Sequence, residues 1–183
     1  MDKLNFLIAE FLQFSIQAGF TTRNEDFPIY DFESGGYSLL TAKAMRNDIK
    51  EFLMNYYDDL RKKKKNEEDH IQSIRHLSLL ISSKYKNALH NKKFRIGISQ
   101  KVINLFLKYL WCSGLISEPF HCPFDNIIKM KIQKYNNGNE LVDWTEMNTI
   151  KQYCKYVEAV TIASNKDKLS IAEWELKNWK RRQ

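Results

Sequence analysis

Lys101 and Asp125 are the two residues of this 183-residue chain whose types and surroundings suit covalent chemistry. Lys101 lies within an apolar stretch, Ser99 to Trp111, whose composition is typical of a buried helix. Burial disfavours the charged form of an amine, so this lysine could become a nucleophile near neutral pH. Asp125 begins the next helical stretch, where backbone N–H groups keep a carboxylate ionised. The pair would suit attack on an electrophilic carbon, with the carboxylate stabilising positive charge as a leaving group departs.

A purely structural interpretation competes with this chemistry. Lys101, Asn104 and Lys108 follow one another at the spacing that forms a single stripe on a helix. Asp125 could serve only as a helix N-cap, and the two lysines could extend along the helix surface to reach water. Asn104 and Lys108 would then be supporting or solvent-facing companions. The residues alone favour this structural alternative.

Hydrophobic periodicity predicts a mainly α chain that folds as one compact multi-helix domain over residues 1–183. Strand signals are weak, and no period of repetition indicates a solenoid. Residues 1–90 supply scaffold helices, and residues 91–183 form the half that carries the motifs. The predicted helices cover residues 2–18, 38–59, 70–90, 99–111, a short stretch after 125, 146–164, and a last helix capped at 170.

The excess of basic residues predicts a polyanionic partner. The formal net charge is +7, and phosphate contacts release counterions, so the charge favours a polyanion such as nucleic acid, although many basic proteins bind nothing acidic. The basic loop before the central helix, with Lys92, Lys93, Arg95 and Gly97, is the predicted phosphate contact. Gly97 could also be a simple turn residue. The run 61–65 is followed at once by acids, which favours a solvated helix end over a phosphate-contacting patch.

Several functional classes are disfavoured by the sequence. The apolar runs are too short to cross a bilayer, and the N-terminal residues do not form a secretory signal, so a cytoplasmic protein without membrane contact is expected. The motifs of phosphate loops, zinc peptidases and serine hydrolases are missing. Cys112, His121 and Cys122 are weak zinc candidates, because neighbouring residues rarely both bind one ion. No metal or cofactor is predicted. His70 and His76 are interpreted as surface or boundary residues.

A motif in the second half of the chain carries a resemblance. Its first part, QKVINLFLKY, contains Gln100, Lys101, Asn104 and Lys108, and its second part, HCPFD, runs from His121 to Asp125. This pattern resembles a family of helical bacterial and phage proteins of unassigned function. More distantly, it resembles the helix-hairpin-helix DNA glycosylases of the archaeal 8-oxoguanine type. The glycine-rich hairpin of those enzymes is reduced here to Gly97, and residues 1–90 match none of their motifs.

The resemblance implies a helix-hairpin-helix fold and a DNA-repair glycosylase with lyase activity. Lys101 would be its Schiff-base nucleophile and Asp125 its catalytic carboxylate. Further side chains would form the pocket for a flipped base, namely Gln100, Asn104, Lys108, Trp111, His121 and Phe124. The alternative is a non-catalytic helical module that binds nucleic acid or protein, so enzymatic activity stays open at this point. The distance from the lysine amine to the aspartate carboxylate, and a cleft between them, would separate the two hypotheses.

Overall fold

The computed structural model describes residues 2–22, 24–63, 65–136, 138 and 140–180. Its α-helices, in chain order, are α1 Lys3–Phe20, α2 Leu39–Lys62, α3 Glu67–Tyr85, α4 Ile96–Cys112, α5 Asn126–Ile132, α6 Ile150–Lys166 and α7 Ile171–Asn178. Short 3₁₀ turns lie at Lys86–Ala88, His90–Lys92 and Gln133–Tyr135. Within the described residues no strand forms, and Tyr30 and Leu89 make one isolated bridge. The prediction of a mainly α fold is confirmed.

Most helices begin at the capping residues that the local sequence supplies. Asn66, Thr149 and Ser170 each form a reciprocal capping box with the residue three positions later. The predicted cap Ser38 accepts a hydrogen bond from the Thr41 N–H. The prediction that α3 begins at His70 was three residues late, because the box at Asn66 starts it earlier. Local capping therefore fixes the helix boundaries more closely than apolar periodicity does.

Helix α4 lies at the centre of one continuous hydrophobic core. It packs against α1, α3 and α6. Core side chains come from both halves of the chain, from Ile8 in α1 to Trp174 in α7. Phe94, Val102 and Phe106 are completely buried. The central position of α4 means that its polar residues must find partners inside the protein.

Two glycines allow α4 to pack closely against its neighbours. The expectation that Gly19 ends α1 was wrong, because the helix continues to Phe20. A Cβ at Gly19 would lie 2.3 Å from the Val102 side chain of α4. Gly97 lies within the first turn of α4 and donates its N–H to the Met147 carbonyl at 2.9 Å. A Cβ on Gly97 would lie 1.7 Å from the Trp144 carbonyl oxygen. Both residues are required for packing, since any larger residue would force the backbones apart.

Candidate functional site

Lys101 and Asp125 meet at one side of α4. Lys101 Nζ lies 4.0 Å from Asp125 Oδ2, and the two side chains are 14% and 16% exposed. The lysine ammonium also lies 4.1 Å from the centroid of the Trp144 ring, in cation–π contact. Trp179 Nε1 donates a hydrogen bond to Asp125 Oδ2 at 3.1 Å. Four residues from distant parts of the chain therefore form one cluster.

This cluster faces a cleft with a volume of about 890 Å³. Phe14 of α1, Tyr109 of α4 and the two tryptophans supply its aromatic surface. Asn24 and Glu25, in the loop that follows α1, also line the cleft. A space of this size suits a small ligand or an inserted part of a larger partner.

Lys101 is an unusual cation because it makes no hydrogen bond within the described residues; its charge is met by Asp125 and the Trp144 ring alone. Burial lowers the pKa of Lys101, and the Asp125 carboxylate partly opposes that shift. Asp125 Oδ1 accepts the Ile127 and Ile128 N–H groups at 2.9 and 3.1 Å, as the N-cap of α5. The aspartate thus holds the helix start with one oxygen and faces the lysine with the other.

Two polar residues of α4 bind the backbone of the extended segment 121–124. The Gln100 amide donates to the Phe124 carbonyl at 2.8 Å and accepts the Phe124 N–H at 3.0 Å. Asn104 Nδ2 donates to the Cys122 carbonyl at 2.9 Å. Gln100, Asn104 and Phe124 are completely buried, so they hold the segment in place rather than lining the cleft.

A histidine pair extends this buried polar network. His70 Nδ1 lies 2.9 Å from Tyr56 Oη, and its Nε2 lies 2.9 Å from Asn104 Oδ1. His121 Nδ1 lies 2.7 Å from Tyr153 Oη. Burial lowers the pKa of His70 to about 3, with His121 adding to the shift. The prediction that His70 is a surface or boundary residue was wrong, because its ring is completely buried.

His121 also reaches the start of α3, where its Nε2 lies 2.9 Å from Glu67 Oε1. Burial lowers the pKa of His121, while Glu67 acts in the opposite direction. The ring itself is completely buried. His121 therefore links α3, α6 and the extended segment, and it lies in the network rather than in the cleft.

Lys108 forms a closed ion pair with Glu175 of α7. Its Nζ donates to Glu175 Oε2 at 2.6 Å and lies 5.1 Å from the Trp179 ring centroid. Glu175 is 1% exposed, and burial raises the pKa of its carboxyl group although Lys108 opposes the shift. The pair ties α7 to α4. Trp111, at the end of α4, is half-buried.

The basic loop before α4 divides into exposed and buried residues. Lys92 and Lys93 are exposed, and Lys93 Nζ donates to the Asn148 carbonyl at 3.1 Å. Arg95 is 2% exposed and donates to the Phe27 and Pro28 carbonyls at 2.7 and 3.0 Å. Gly97 faces the Trp144 backbone. The structure therefore does not bring these four residues together as one exposed patch, and their contact with nucleic acid stays a prediction.

An exposed apolar stripe on α1 went unrecognised in the sequence. The periodicity predicted a single apolar face from Leu4, Leu7, Ile8, Phe11, Leu12 and Ile16, but the helix has two apolar faces. Ile8, Leu12 and Ile16 are buried, whereas Leu4, Leu7 and Phe14 are 44%, 43% and 50% exposed. The stripe residues recur at alternating steps of three and four, as Leu4, Leu7, Phe11, Phe14 and Ala18. That heptad spacing was the available signal for a second apolar face.

The described residues contain neither a candidate metal cluster nor a helix that could span a membrane. In the described ranges, no group of three or more His, Cys, Asp or Glu side chains is placed to hold a metal ion. Cys112 is exposed, Cys122 is buried and Cys154 is intermediate, and all three thiols are free. None of the helices seen in those ranges has the length and apolar character that crossing a bilayer demands.

Comparison with known proteins changes the interpretation of this mainly α chain. Residues 36–116 match the model of a family described as the WD40 associated region in TFIID subunit, NTD2 domain. The match covers α2, α3 and α4, which is less than half of the chain. No curated protein and no solved structure matches the sequence.

The match corrects the resemblance drawn from the motif. The family that matches is a region of a TFIID subunit, not a bacterial or phage family and not a DNA glycosylase. The expectation of a DNA-repair glycosylase was therefore wrong, and the non-catalytic alternative agrees better with the match. The matched region contains Lys101 but ends before His121 and Asp125. The cleft is present in the fold whether or not that resemblance holds.

Proposed function

We propose that this protein is a non-catalytic helical interaction module that docks a helix of a protein partner along α1. The observation that carries the proposal is the apolar stripe formed by Leu4, Leu7, Phe11, Phe14 and Ala18, hereafter the α1 stripe. Leu4, Leu7 and Phe14 are exposed, and Phe11 and Ala18 are half-buried. An apolar row at heptad spacing suits the side of a second amphipathic helix. Exposed leucine and phenylalanine side chains gain about 1 kcal/mol each when their remaining surface is buried.

The α1 stripe continues into the cleft, which supports docking rather than chance exposure. Phe14 and Ala18 line the cleft together with Tyr109, and the rings of Phe11 and Tyr109 stack with centroids 5.3 Å apart. Aromatic side chains in a pocket are the usual anchors of protein interfaces. A helix lying on the stripe would bring its end to the cleft, where Lys101 offers N–H groups that could cap the last carbonyls of that helix.

The family match supports a protein partner from a second direction. Its description names a subunit, and a subunit works within an assembly. From this match we also infer a nuclear location, because TFIID is a transcription factor. This replaces the cytoplasmic location expected from the sequence. A nucleic-acid partner, expected from the net charge of +7, stays a prediction beside the protein partner.

Site-specific photo-crosslinking tests the proposal. A benzophenone side chain at position 7 should crosslink to one segment of a partner protein, while the same group at the exposed Met130 position of α5 should not. A synthetic peptide of the crosslinked segment should then bind the purified protein. The double variant Leu7→Glu with Phe14→Glu should weaken that binding about 30-fold or more, as expected for losing about 2 kcal/mol.

Met130→Glu is the matched control, because Met130 is an exposed apolar residue outside the stripe, 74% exposed. It should leave the affinity unchanged, and circular dichroism should show that all variants stay folded. Equal binding by the double variant and the wild type would rule out α1 as the docking surface. Crosslinks from position 7 to nucleic acid alone would overturn the protein-partner proposal.

A further inference from the structure

A second groove, separate from the cleft and from the α1 stripe, lies where α2 ends. It has a volume of about 850 Å³ and is bounded by the last turn of α2, the start of α3 and the segment that follows α4. Leu60, Leu107, Leu115 and Ile116 give it apolar walls. We call it the basic groove, because Arg61, Lys62, Lys63 and Lys65 line it against a single acid, Glu118.

The positive charges of the basic groove are not neutralised by the acids that follow them in sequence. Glu67 lies against His121, Glu68 accepts a hydrogen bond from Gln72, and Asp69 completes the capping box of α3. Lys65 is paired with Asp59 at 3.2 Å. Arg61, Lys62 and Lys63 are exposed and form no ion pair within the described residues. In the part of the chain that the structure describes, the helix end thus has three cations without a carboxylate partner beside an apolar surface.

The apolar side of the basic groove ends in an exposed aromatic ring. Phe120 is 41% exposed and lines the groove. Leu115 and Ile116 are partly buried beside it. A surface that joins exposed cations to apolar side chains complements a chain with acids next to apolar anchors. A nucleic-acid backbone would use the cations but would leave the aliphatic walls without a partner.

We propose that the basic groove binds an acidic segment of a partner protein that also carries large apolar side chains. Arg61, Lys62 and Lys63 would meet its carboxylates, and Phe120 with the aliphatic walls would meet its apolar side chains. This inference does not rest on docking along α1, since the groove and the α1 stripe share no residue. Either surface can fail its test without affecting the other.

Fluorescence anisotropy with three defined probes tests the inference on the full-length protein. The first probe is a 15-residue labelled peptide in which Asp and Glu alternate with Phe and Leu. The second peptide keeps the acids but replaces every apolar residue with Ala. The third probe is a labelled 15-nucleotide single-stranded DNA. The first peptide should bind at least tenfold more tightly than the second, and its affinity should fall as salt increases.

Charge-reversal variants locate the binding on the protein. Lys62→Glu with Lys63→Glu should weaken binding of the first peptide at least tenfold, and Phe120→Ala should weaken it about fivefold. Lys151→Glu with Lys155→Glu is the matched control, because both lysines are exposed on α6 and the change in net charge is the same. The control should have less than a twofold effect.

Three results would overturn the inference. An equal loss of peptide affinity in the groove variant and in the α6 control would mean that the net charge of the protein, and not a defined site, attracts the peptide. Equal affinity of the two peptides would mean that the apolar walls contribute nothing. DNA that binds more tightly than the first peptide, and is lost in the groove variant, would assign the groove to nucleic acid.

Discussion

Two lysines on α4 have nearly the same surroundings, but only one of them is hydrogen-bonded to its neighbouring carboxylate. Lys101 and Lys108 are seven residues apart, both are 14% exposed, and each lies over a tryptophan ring beside a carboxylate. Lys108 donates a hydrogen bond to Glu175 at 2.6 Å, whereas Lys101 stays 4.0 Å from Asp125 and makes no hydrogen bond within the described residues. Lys108 therefore belongs to a closed ion pair that holds α7 in place, whereas Lys101 is an open donor that faces the cleft.

The largest expected effect comes from breaking the closed pair. Lys108→Ala leaves the Glu175 carboxylate at 1% exposure without its cation, so we expect the free energy of unfolding to fall by about 3 kcal/mol or more. Urea denaturation followed by circular dichroism measures it. Glu175→Gln is the companion variant: it removes the charge but keeps the shape, and it should cost less than Lys108→Ala. A loss below about 1 kcal/mol for Lys108→Ala would show that the pair is not structural.

A smaller effect is expected when the carboxylate of the open pair is removed. Asp125→Ala deletes the N-cap of α5 and the acceptor of the Trp179 indole, which together should cost about 1–2 kcal/mol in urea denaturation. Asp125→Asn keeps an oxygen that can accept the Ile127 N–H and should recover part of that loss. If Asp125→Asn were as damaging as Asp125→Ala, the charge facing Lys101 would matter more than the cap.

The smallest effect is expected for the lysine of the open pair. Lys101→Met removes a desolvated cation while Asp125 keeps its other partners, so stability at pH 7 should change by less than about 1 kcal/mol. Burial lowers the pKa of Lys101, so the unfolded chain holds this proton more tightly than the folded protein does. Wild-type stability should therefore gain a contribution as the pH rises towards the ordinary value of 10.5.

Lys101→Met should lack that gain, which a comparison of urea midpoints at pH 7.5 and pH 9.5 would detect. Lys151→Met, at an exposed position of α6, is the control for the loss of any one lysine. A destabilisation by Lys101→Met as large as that by Lys108→Ala would erase the distinction between the two pairs.

The sequence predicted the helices and missed the partners of buried polar groups. Apolar periodicity and capping residues are local signals, so α2, α6 and α7 could be located from them. Which neighbour a polar side chain meets depends on the packing of distant segments. His70 looked like a surface residue because its partners Tyr56 and Asn104 come from other helices. Glu175 was similarly invisible as the partner of Lys108.

The site was predictable only in part, for related reasons. Lys101 and Asp125 were paired because one is a lysine in an apolar helix and the other was the predicted start of the next helix, and the structure places them 4.0 Å apart. Gln100, Asn104 and His121 carry polar groups of the right type, but their burial could not be foreseen from spacing. The glycosylase resemblance used the same residue types, and in this protein two of them, Gln100 and Asn104, hold a buried extended segment.

The two hydrogen bonds between Gln100 and Phe124 align the extended segment 121–124 along α4. An extended segment normally satisfies its buried N–H and C=O groups against a neighbouring strand. Here one glutamine amide takes the place of that strand, offering one donor and one acceptor to the same residue. A shift of the segment by one residue would break both bonds at once. Since Lys101 is the next residue after Gln100 and Asp125 the next after Phe124, this contact sets the register between the lysine and the aspartate.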